Sequence, residues 1–236
     1  MTMEILFMAK ALLAQGSPSP NQLTLEEQKA GWRLLFDGKT TSGWRGFKKA
    51  DFPTDKWAAR DGCLEKTATG TGDSHGGGDI VTLDTFSDFD LRFEWRIAPG
   101  GNSGVKYFVT EGRDGPIAHE YQVLDDGRHP DARIGPHRQT AALYDVLPPA
   151  RDKPLRPVGE WNQSRILVKG DHVEHWLNGR RVLEYELGSP ELKAAIARSK
   201  FKDVPGFGTR IKGHILLQDH GDEVCYRSVK ILSPPR

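Results

Sequence analysis

The clearest pattern of hydrophobic and polar positions in the chain lies in residues 89–98, FDLRFEWRIA. Apolar and charged side chains alternate there, and the apolar ones are Phe89, Leu91, Phe93, Trp95 and Ile97. A period of two residues predicts a β-strand with one face in the core and the other toward solvent. Such a one-sided strand is typical of antiparallel sheets and not of parallel α/β folds.

Shorter strand-like segments recur along the chain and are separated by turn residues. Residues 33–36 predict a strand, and residues 56–66 predict a hairpin with an Asp-Gly turn. Residues 161–187 predict a three-stranded meander whose second turn is Asn-Gly, the strongest hairpin signal in the chain. Residues 213–232 predict a closing hairpin of two strands.

Only two segments predict helices. Residues 24–31 begin with a capping threonine and end with a glycine, which indicates one short helix. Residues 189–201 carry the stronger signal, with Ser189 as N-cap and Pro190 at the first helical position. About a dozen short strands with one short helix near the C-terminal part predict an all-β fold, a sandwich or jelly roll of two antiparallel sheets.

Residues 102–125 carry a dense set of polar side chains on two predicted strands joined by a loop. Because side chains alternate along a strand, Glu120 and Gln122 share one face while Tyr121 and Val123 share the other. A carboxylate beside an amide is a poor core face. The pair therefore predicts the floor of a cleft that holds a hydroxyl-rich ligand.

Charge and composition narrow the choice of partner. The chain has 33 basic and 32 acidic residues and a formal net charge of +1, so no overall field favours nucleic acid or an anionic membrane. No apolar run approaches the roughly 20 residues that span a bilayer. A small, weakly charged molecule is the expected partner, with no nucleic acid and no membrane insertion.

The N-terminal segment resembles a secretory signal only weakly. Residues 1–16 are apolar, but Glu4 and Lys10 interrupt the run, whereas a signal places its charge ahead of an unbroken apolar segment. Residues 1–23 are predicted to be a tail or a degraded signal segment. Residues 24–236 are predicted to form a single catalytic domain, since β-sandwiches of this length commonly have one core.

Cysteine and glycine usage adds little specific chemistry. Cys63 and Cys225 lie in strand-like segments, and two buried free thiols are the favoured interpretation, with a disulfide between early and late strands as the alternative. No metal-ligand spacing is present, so no metal site and no required cofactor are predicted, while a divalent metal stays open because His, Asp and Glu are abundant. Residues 67–79 are Gly-rich but lack the surroundings of a phosphate-binding loop, so a flexible loop is predicted.

Several motifs together resemble the 3-keto-disaccharide hydrolase domain family, long known as a domain of unknown function. In chain order they are GWRLLFDGKTTSGWRGF, FDLRFEWRIAPGGNSGV, EYQVLD, GEWNQ, VEHWLNG and GHILLQDHG, covering residues 31–232. The resemblance implies a concanavalin A-like, laminarinase-like jelly roll. It also implies a bacterial enzyme, usually exported to the periplasm or secreted, that acts on glycosides whose C3 hydroxyl is already oxidised to a ketone. Residues 139–142, Gln-Thr-Ala-Ala, depart from the Thr-Gly-Ala expected for the family.

The carboxylates on the polar strand do not fit ordinary glycoside hydrolysis. Retaining glycosidases of this fold place two glutamates on one strand as Glu-x-Asp-x-x-Glu, and the corresponding residues here are Glu120, Gln122 and Asp125. An amide cannot share or relay a proton as a carboxylate does. A 3-keto sugar allows another route, in which a base removes the acidified C2 proton and the resulting enolate expels the C1 substituent.

Such a site needs a base, donors for the enolate oxygen and an acid for the leaving group. Glu120 or His220 is the predicted base, and a histidine is the predicted acid. Gln122, Lys106 and Tyr144 are the predicted oxyanion donors. The further residues predicted to contact substrate are Glu94, Asn102, Asp125, His137, His175 and Gln218.

Each of these residues also has a simpler interpretation. Glu94 can pair with Arg92 or Arg96 on a solvated face, and His175 can be an ordinary outer-face residue. Gln218 and His220 can do no more than fix the last hairpin. For the whole chain, the alternatives to keto-glycoside cleavage are a conventional glycoside hydrolase acting on unoxidised glucosides and a non-catalytic, lectin-like carbohydrate-binding domain.

Overall fold

The computed structural model of the chain describes residues 19–67 and 78–234. The predictions for residues 1–16 and for most of the Gly-rich stretch concern residues outside these ranges. The strands in chain order are β1 Arg33–Leu34, β2 Trp44–Gly46, β3 Trp57–Arg60, β4 Cys63–Lys66, β5 Ile80–Thr82, β6 Phe89–Ile97, β7 Asn102–Val109, β8 His119–Leu124, β9 Asn162–Lys169, β10 His172–Leu177, β11 Arg180–Glu186, β12 His214–Leu217 and β13 Val224–Leu232. The helices are α1 Leu25–Ala30 and α2 Pro190–Ile196, with short 3-10 helices at Pro130–Arg133 and Pro136–Arg138.

Within the described residues the strands form two antiparallel sheets, which confirms the predicted all-β sandwich. The larger sheet has eight strands in the order β11-β10-β9-β6-β13-β4-β3, with β1 also paired to β13. The smaller sheet has five strands in the order β2-β5-β12-β7-β8. The predicted meander is present as β9, β10 and β11, and the predicted hairpin at residues 56–66 is present as β3 and β4.

The core lies between the two sheets and is built by the alternation seen in the sequence. All five apolar residues of β6 are buried, and Phe93 contacts Tyr121 of the opposite sheet edge to face, with ring centroids 5.6 Å apart. Tyr121 and Val123 belong to this core. The side chains of Glu120 and Gln122 therefore lie on the outer face of the smaller sheet, as the alternation predicts.

The two helices follow their sequence signals at their first residues. Thr24 caps α1, and its hydroxyl and the Glu27 carboxylate make the reciprocal bonds of a capping box. Ser189 caps α2, but this helix ends at Ile196 and not near Phe201 as predicted. The Ser199 hydroxyl donates to the Ile196 carbonyl (2.8 Å) and accepts from the Phe201 amide (3.0 Å), so the chain leaves the helix there.

The predicted closing hairpin is wrong because its two strands belong to different sheets. β12 pairs with β5 and β7, whereas β13 pairs with β4 and β6. The segment between them crosses from one sheet to the other. Asp219 fixes this crossing through an ion pair with Lys66 of β4 (3.2 Å), and both side chains are buried.

The favoured interpretation of the cysteines is also wrong. Cys63 of β4 and Cys225 of β13 form a disulfide, with their Cα atoms 5.8 Å apart. The two strands are neighbours in the larger sheet, with Cys225 directly opposite Glu65. Such lateral pairing brings two cysteines within bridging distance however far apart they lie in the sequence.

The folded part of the chain extends ahead of the predicted domain boundary. Asn21 donates through its side chain to the Gly62 carbonyl (2.8 Å) and accepts from the Ser228 amide (2.8 Å). Asn21, within the segment predicted as a tail, therefore contacts the larger sheet. Among the described helices none is long and apolar enough to cross a membrane.

Candidate active site

A groove of about 390 Å³ lies on the outer face of the smaller sheet. Strands β7 and β8 and the segment after β12 form its floor, and the loops before β8 and after α2 contribute its walls. Its lining residues are Asn102, Lys106, Pro116, Ile117, Ala118, Glu120, Gln122, Tyr144, Lys200, Phe201, Val204, Gln218 and His220. The groove thus has a polar floor and an apolar wall, a combination suited to a sugar ring.

Glu120 is the carboxylate at the centre of the floor. It is buried, and its Oε2 lies 3.5 Å from the ammonium of Lys106, which is directly opposite on β7. With its amide nitrogen turned toward the carboxylate, Gln122 donates to Glu120 Oε1 (3.1 Å) and to the Ser103 carbonyl (2.9 Å). Both N–H groups of Gln122 are thereby used, so the amide orients Glu120 and is not a free oxyanion donor.

Gly104 makes room for this arrangement. It lies opposite Gln122 in the pairing of β7 with β8. A Cβ atom at this position would lie 2.9 Å from Glu120 Cδ, closer than carbon atoms approach without displacement. The carboxylate of Glu120 therefore occupies space that any larger residue at position 104 would fill.

Tyr144 and Lys200 form one wall of the groove. The Tyr144 hydroxyl donates to Asp131 Oδ2 (2.7 Å), so Tyr144 is not the free donor that the sequence predicts. The ammonium of Lys200 lies 4.1 Å from the centre of the Tyr144 ring. Burial of this ammonium lowers the pKa of Lys200, and the charge of Lys106 acts in the same direction while Glu120 opposes both. Lowering the pKa makes the ammonium a stronger acid.

Most of the predicted site residues come together in this groove. Seven of them line it, namely Asn102, Lys106, Glu120, Gln122, Tyr144, Gln218 and His220. Their strands are adjacent, since Gln218 of the chain after β12 donates its backbone N–H to Gly104 and Gly104 is paired with Gln122. Lys200, Ile117 and Val204 also line the groove but were not among the predictions, because nothing in their local sequence distinguishes them from other loop residues.

Glu94 does not belong to this groove. It lies on the outer face of the larger sheet, where it accepts from Arg227 Nε (2.6 Å) and from the side chain of Gln163 (3.2 Å). Glu94 is therefore too far from the other predicted site residues to contact a ligand held in this groove. The simpler interpretation named the wrong partners, because the ion pair joins Glu94 to the neighbouring strand β13 and not to an arginine of its own strand.

Asp125 and His137 lie near the groove but do not line it. The Asp125 carboxylate accepts from the backbone N–H groups of Gly100 (2.7 Å) and Gly127 (3.0 Å), so it holds the turn that follows β8. His137 lies in the second 3-10 helix with its Nε2 3.7 Å from Asp145 Oδ1. Asp125 and His137 therefore make contacts within the surrounding loops and do not line the groove as predicted.

His175 is neither a substrate contact nor an outer-face residue, because it is fully buried between the sheets. Its Nδ1 contacts the Ala141 carbonyl (3.0 Å), which can only accept, so Nδ1 carries the proton and Nε2 accepts from the Tyr107 hydroxyl (2.8 Å). Ala141 precedes Tyr144 in the groove wall. His175 therefore supports that wall from the core side.

The hydrogen bonds of His175 continue through a chain with a single direction. Tyr107 accepts from Tyr185 (2.5 Å), and Tyr185 accepts from His119 Nδ1 (2.8 Å). His119 Nε2 accepts from the Gly208 amide (3.1 Å), which requires the His119 proton on Nδ1. Burial lowers the pKa of His119 to about 3 and that of His175 to about 4, so both rings are neutral.

Comparison with known proteins gives the groove a family context. The family model for the 3-keto-alpha-glucoside-1,2-lyase-like domain matches residues 31–232, which is most of the chain. The chain belongs to this family. The 3-keto-alpha-glucoside-1,2-lyase-like region thus includes every residue that lines the groove, and the family resemblance seen in the sequence is confirmed.

Named relatives of the 3-keto-alpha-glucoside-1,2-lyase-like domain agree in sequence and fold. The 3-keto-disaccharide hydrolase of Bacteroides thetaiotaomicron is 38% identical, and the match covers 89% of this chain and 81% of the relative. A solved structure of a provisionally assigned glycosyl hydrolase from Parabacteroides distasonis is 33% identical, with a TM-score of 0.81 over 92% of this chain and 100% of that chain. The β-glucanase of Bacillus licheniformis, only 10% identical, has a TM-score of 0.50 over 86% of this chain and 97% of its own, which supports the jelly-roll fold alone.

Proposed function

We propose that this chain cleaves the glycosidic bond of 3-keto-glycosides by removing the C2 proton and eliminating the C1 substituent. The observation that supports this most directly is the groove floor, where one carboxylate, Glu120, has an amide and a lysine as its neighbours. Direct two-carboxylate hydrolysis needs a second acid within about 5–10 Å. Gln122 cannot act as that acid, and Asp125 is engaged in a turn. Asp79 is a further carboxyl close enough to interact with Glu120, but it does not line the groove. The activity named for the Bacteroides relative points to the same substrate class.

The proposed reaction balances without an external oxidant or reductant. Glu120 takes the C2 proton, and the electrons of the C–H bond form an enolate whose charge rests on the C3 oxygen. When the C3 carbonyl re-forms, the electrons make a C1–C2 double bond and the C1–oxygen bond breaks. The departing oxygen takes a proton, and water can then add across the double bond to complete a net hydrolysis.

The residues around Glu120 suit these steps. Lys106 lies beside the base and supplies a positive charge where the enolate develops. Gln122 fixes the orientation of the Glu120 carboxylate through its donated hydrogen bond. Lys200, whose pKa is lowered by burial, is the proposed donor of the proton to the leaving oxygen. Ile117 and Val204 offer an apolar surface to the substrate.

A direct comparison of substrates tests the proposal. The purified chain is incubated with a 3-keto-disaccharide and, separately, with its unoxidised parent, and the products are followed by mass spectrometry. Release of the leaving sugar from the keto form with little from the parent is the expected result. Comparable turnover of the two would refute the elimination route, and tight binding of the keto form without any product would identify a carbohydrate-binding module.

We further propose that the chain works in the periplasm or outside the cell. The disulfide between Cys63 and Cys225 supports this, because such bonds persist in oxidising compartments and are rare in the cytosol. Alkylation of free thiols in intact cells, followed by mass analysis, tests whether the two cysteines are oxidised in the cell. The protein should remain unmodified at both cysteines, and full alkylation would place it in a reducing compartment.

A further inference from the structure

Two histidines and an aspartate converge at one end of the groove. Potential ligand atoms of His129, His220 and Asp222 all lie within 4.8 Å of one another. His129 lies in the loop after β8 and directly precedes the first 3-10 helix, whereas His220 and Asp222 lie in the segment that crosses between the sheets. The fold thus brings together side chains from two loops that are far apart in the sequence.

Buried polar atoms without a partner occur in this cluster and in the groove beside it. Among the described residues, four buried side-chain atoms lack a hydrogen-bond partner, and three of them belong to Asn102 (Oδ1), Gln218 (Oε1) and His220 (Nδ1). Asn102 is only 4% exposed, and its backbone N–H donates to Asp222 Oδ2 (3.0 Å). His220 Nδ1 lies 3.4 Å from the same oxygen without making a hydrogen bond. Buried groups of this kind normally have a partner.

We propose that this end of the groove is a binding site for a divalent first-row transition-metal ion. Its ligands are one imidazole nitrogen each from His129 and His220, the carboxylate of Asp222, and the amide oxygens of Asn102 and Gln218. A set that mixes imidazole with carboxylate and amide oxygen suits ions such as Mn²⁺ or Zn²⁺. Ca²⁺ and Mg²⁺ prefer sets made of oxygen alone.

His129 has to change one contact when a cation binds. Its Nδ1 accepts a long bond from the Asp131 amide (3.2 Å), and its Nε2 lies 3.5 Å from the Asn102 amide nitrogen. A neutral imidazole that binds a cation through one nitrogen carries its proton on the other. The ring therefore gives up the bond from Asp131 on coordination. His220 and Asp222 need no such change, so they contribute more to the affinity than His129.

A second cluster in the fold provides a contrast. His172, Glu174 and Glu184 also have potential ligand atoms within 4.8 Å of one another. Here the groups already have partners, since His172 contacts Glu186 (2.6 Å) and Glu174 (3.1 Å), and Arg181 donates to Glu174 (3.0 Å). No atom of this cluster is left unpartnered among the described residues. It serves as the matched control.

The position of the site relates it to the groove. Asn102, Gln218 and His220 line the groove, and His220 also belongs to the cluster, so a bound cation has its open side toward the ligand. If the proposed function holds, that open position can accept the keto oxygen or a neighbouring hydroxyl of the sugar. This last step rests on the proposed function, whereas cation binding itself does not.

Calorimetric titration of the chelator-treated full chain with MnCl₂ and with ZnCl₂, in the absence of sugar, tests the site. One equivalent of cation is expected to bind to the native protein. His220→Ala and His220→Asn should each weaken binding by more than the 10–100-fold lost with an outer-shell partner. Asp222→Asn should do the same, and His172→Ala should bind as the native protein does. Thermal unfolding of each variant without metal checks that it is folded.

The outcomes separate this site from the proposed function. Absence of binding, or binding that His220→Ala leaves unchanged, overturns the metal site, and the unpartnered atoms are then assigned to sugar or water. Loss of binding in His172→Ala but not in His220→Ala would show that the cation binds at the cluster of His172, Glu174 and Glu184 instead. Cation binding without turnover of a keto-sugar would refute the proposed function and leave the site intact.

Discussion

Glu120 owes its proposed role to neighbours that hold its carboxylate from three sides. Gln122 donates to one oxygen, Lys106 lies beside the other, and Gly104 leaves the space that the carboxylate fills. None of these neighbours can replace Glu120 as a base, since an amide does not titrate and an ammonium carries its proton already. Of these four residues, only Glu120 can therefore perform the proposed proton abstraction.

Replacing Glu120 with Gln keeps the shape of the floor and removes the base. We expect turnover of a 3-keto-glycoside to fall by about 10²–10⁴-fold, the usual contribution of general base catalysis, with binding little changed. In heavy water the native protein should exchange deuterium into C2 of recovered substrate, whereas Glu120→Gln should not. Glu94→Gln, on the outer face of the other sheet, is the matched control and should behave as native. Full deuterium exchange at C2 with Glu120→Gln would show that another residue of the groove is the base.

His119 and His175 give the stability of the protein a predictable dependence on pH. Their pKa values are about 3 and about 4 in the folded chain, against about 6.5 when unfolded. Between pH 6.5 and 4 the unfolded state binds protons that the folded state does not, so the free energy of unfolding falls as pH falls. Each ring contributes about 1.4 kcal/mol per pH unit within that window.

Urea unfolding at pH 7, 6 and 5 measures this effect. Burial raises the pKa of Asp79 to about 6, and this group acts in the opposite direction because the folded state then binds the extra proton. The comparison is therefore made with His175→Gln, in which one histidine is removed while Asp79 is kept. The variant should show a shallower loss of stability on acidification. Equal slopes in the two proteins would show that His175 is not held neutral.

Among the elements, the central strand β6 was the easiest to predict and β12 with β13 the hardest to place. The alternation in β6 reports burial on one face, and that property is local. Whether two successive strands pair with each other is not local, because it depends on which sheet edge each strand meets. The end of α2 has a similar cause, since the contacts of Ser199 that stop the helix are made outside any periodic pattern.

Phe93 gives a test of the packing of β6. It is 2% exposed and contacts Tyr121 across the sandwich. Phe93→Ala should lower the free energy of unfolding by about 3–5 kcal/mol, because it removes buried area and leaves a cavity. Arg96→Ala, on the exposed face of the same strand, should cost less than about 1 kcal/mol. Chemical denaturation of both variants checks the result, and a near-neutral Phe93→Ala would contradict the packing described.

At the scale of the whole molecule, the disulfide closes a loop of 162 residues. In the chain-entropy account, a loop of that length stabilises the folded state by about 5 kcal/mol through the unfolded state. Reduction, or the double change Cys63→Ser with Cys225→Ser, should lower the free energy of unfolding toward that extent. Urea unfolding with and without reductant measures the loss. If the urea concentration at the unfolding midpoint is the same with and without reductant, the disulfide does not restrict the unfolded state.

The sequence allowed the groove floor to be predicted but not its whole outline. Glu120 and Gln122 stand out because a polar pair repeats at strand spacing beside a core face. Lys200 carries no such signal, since it lies in a loop and reaches the groove only through the path of the folded chain. His129 likewise meets His220 only through that path. Glu94 and His175 were misplaced for a related reason, because alternation shows that two faces differ without showing which sheet carries the groove.

The apolar wall of the groove is made by loop residues such as Ile117 and Val204, which belong to neither sheet. Both pack against the edge of the core, but neither belongs to its fully buried part or to the disulfide. Substitutions in these loops can therefore alter the size of the leaving group that fits while the sandwich still folds. Members of one family can in this way diverge in the glycosides they accept, and selection can act on the wall without testing the stability of the sandwich at each step.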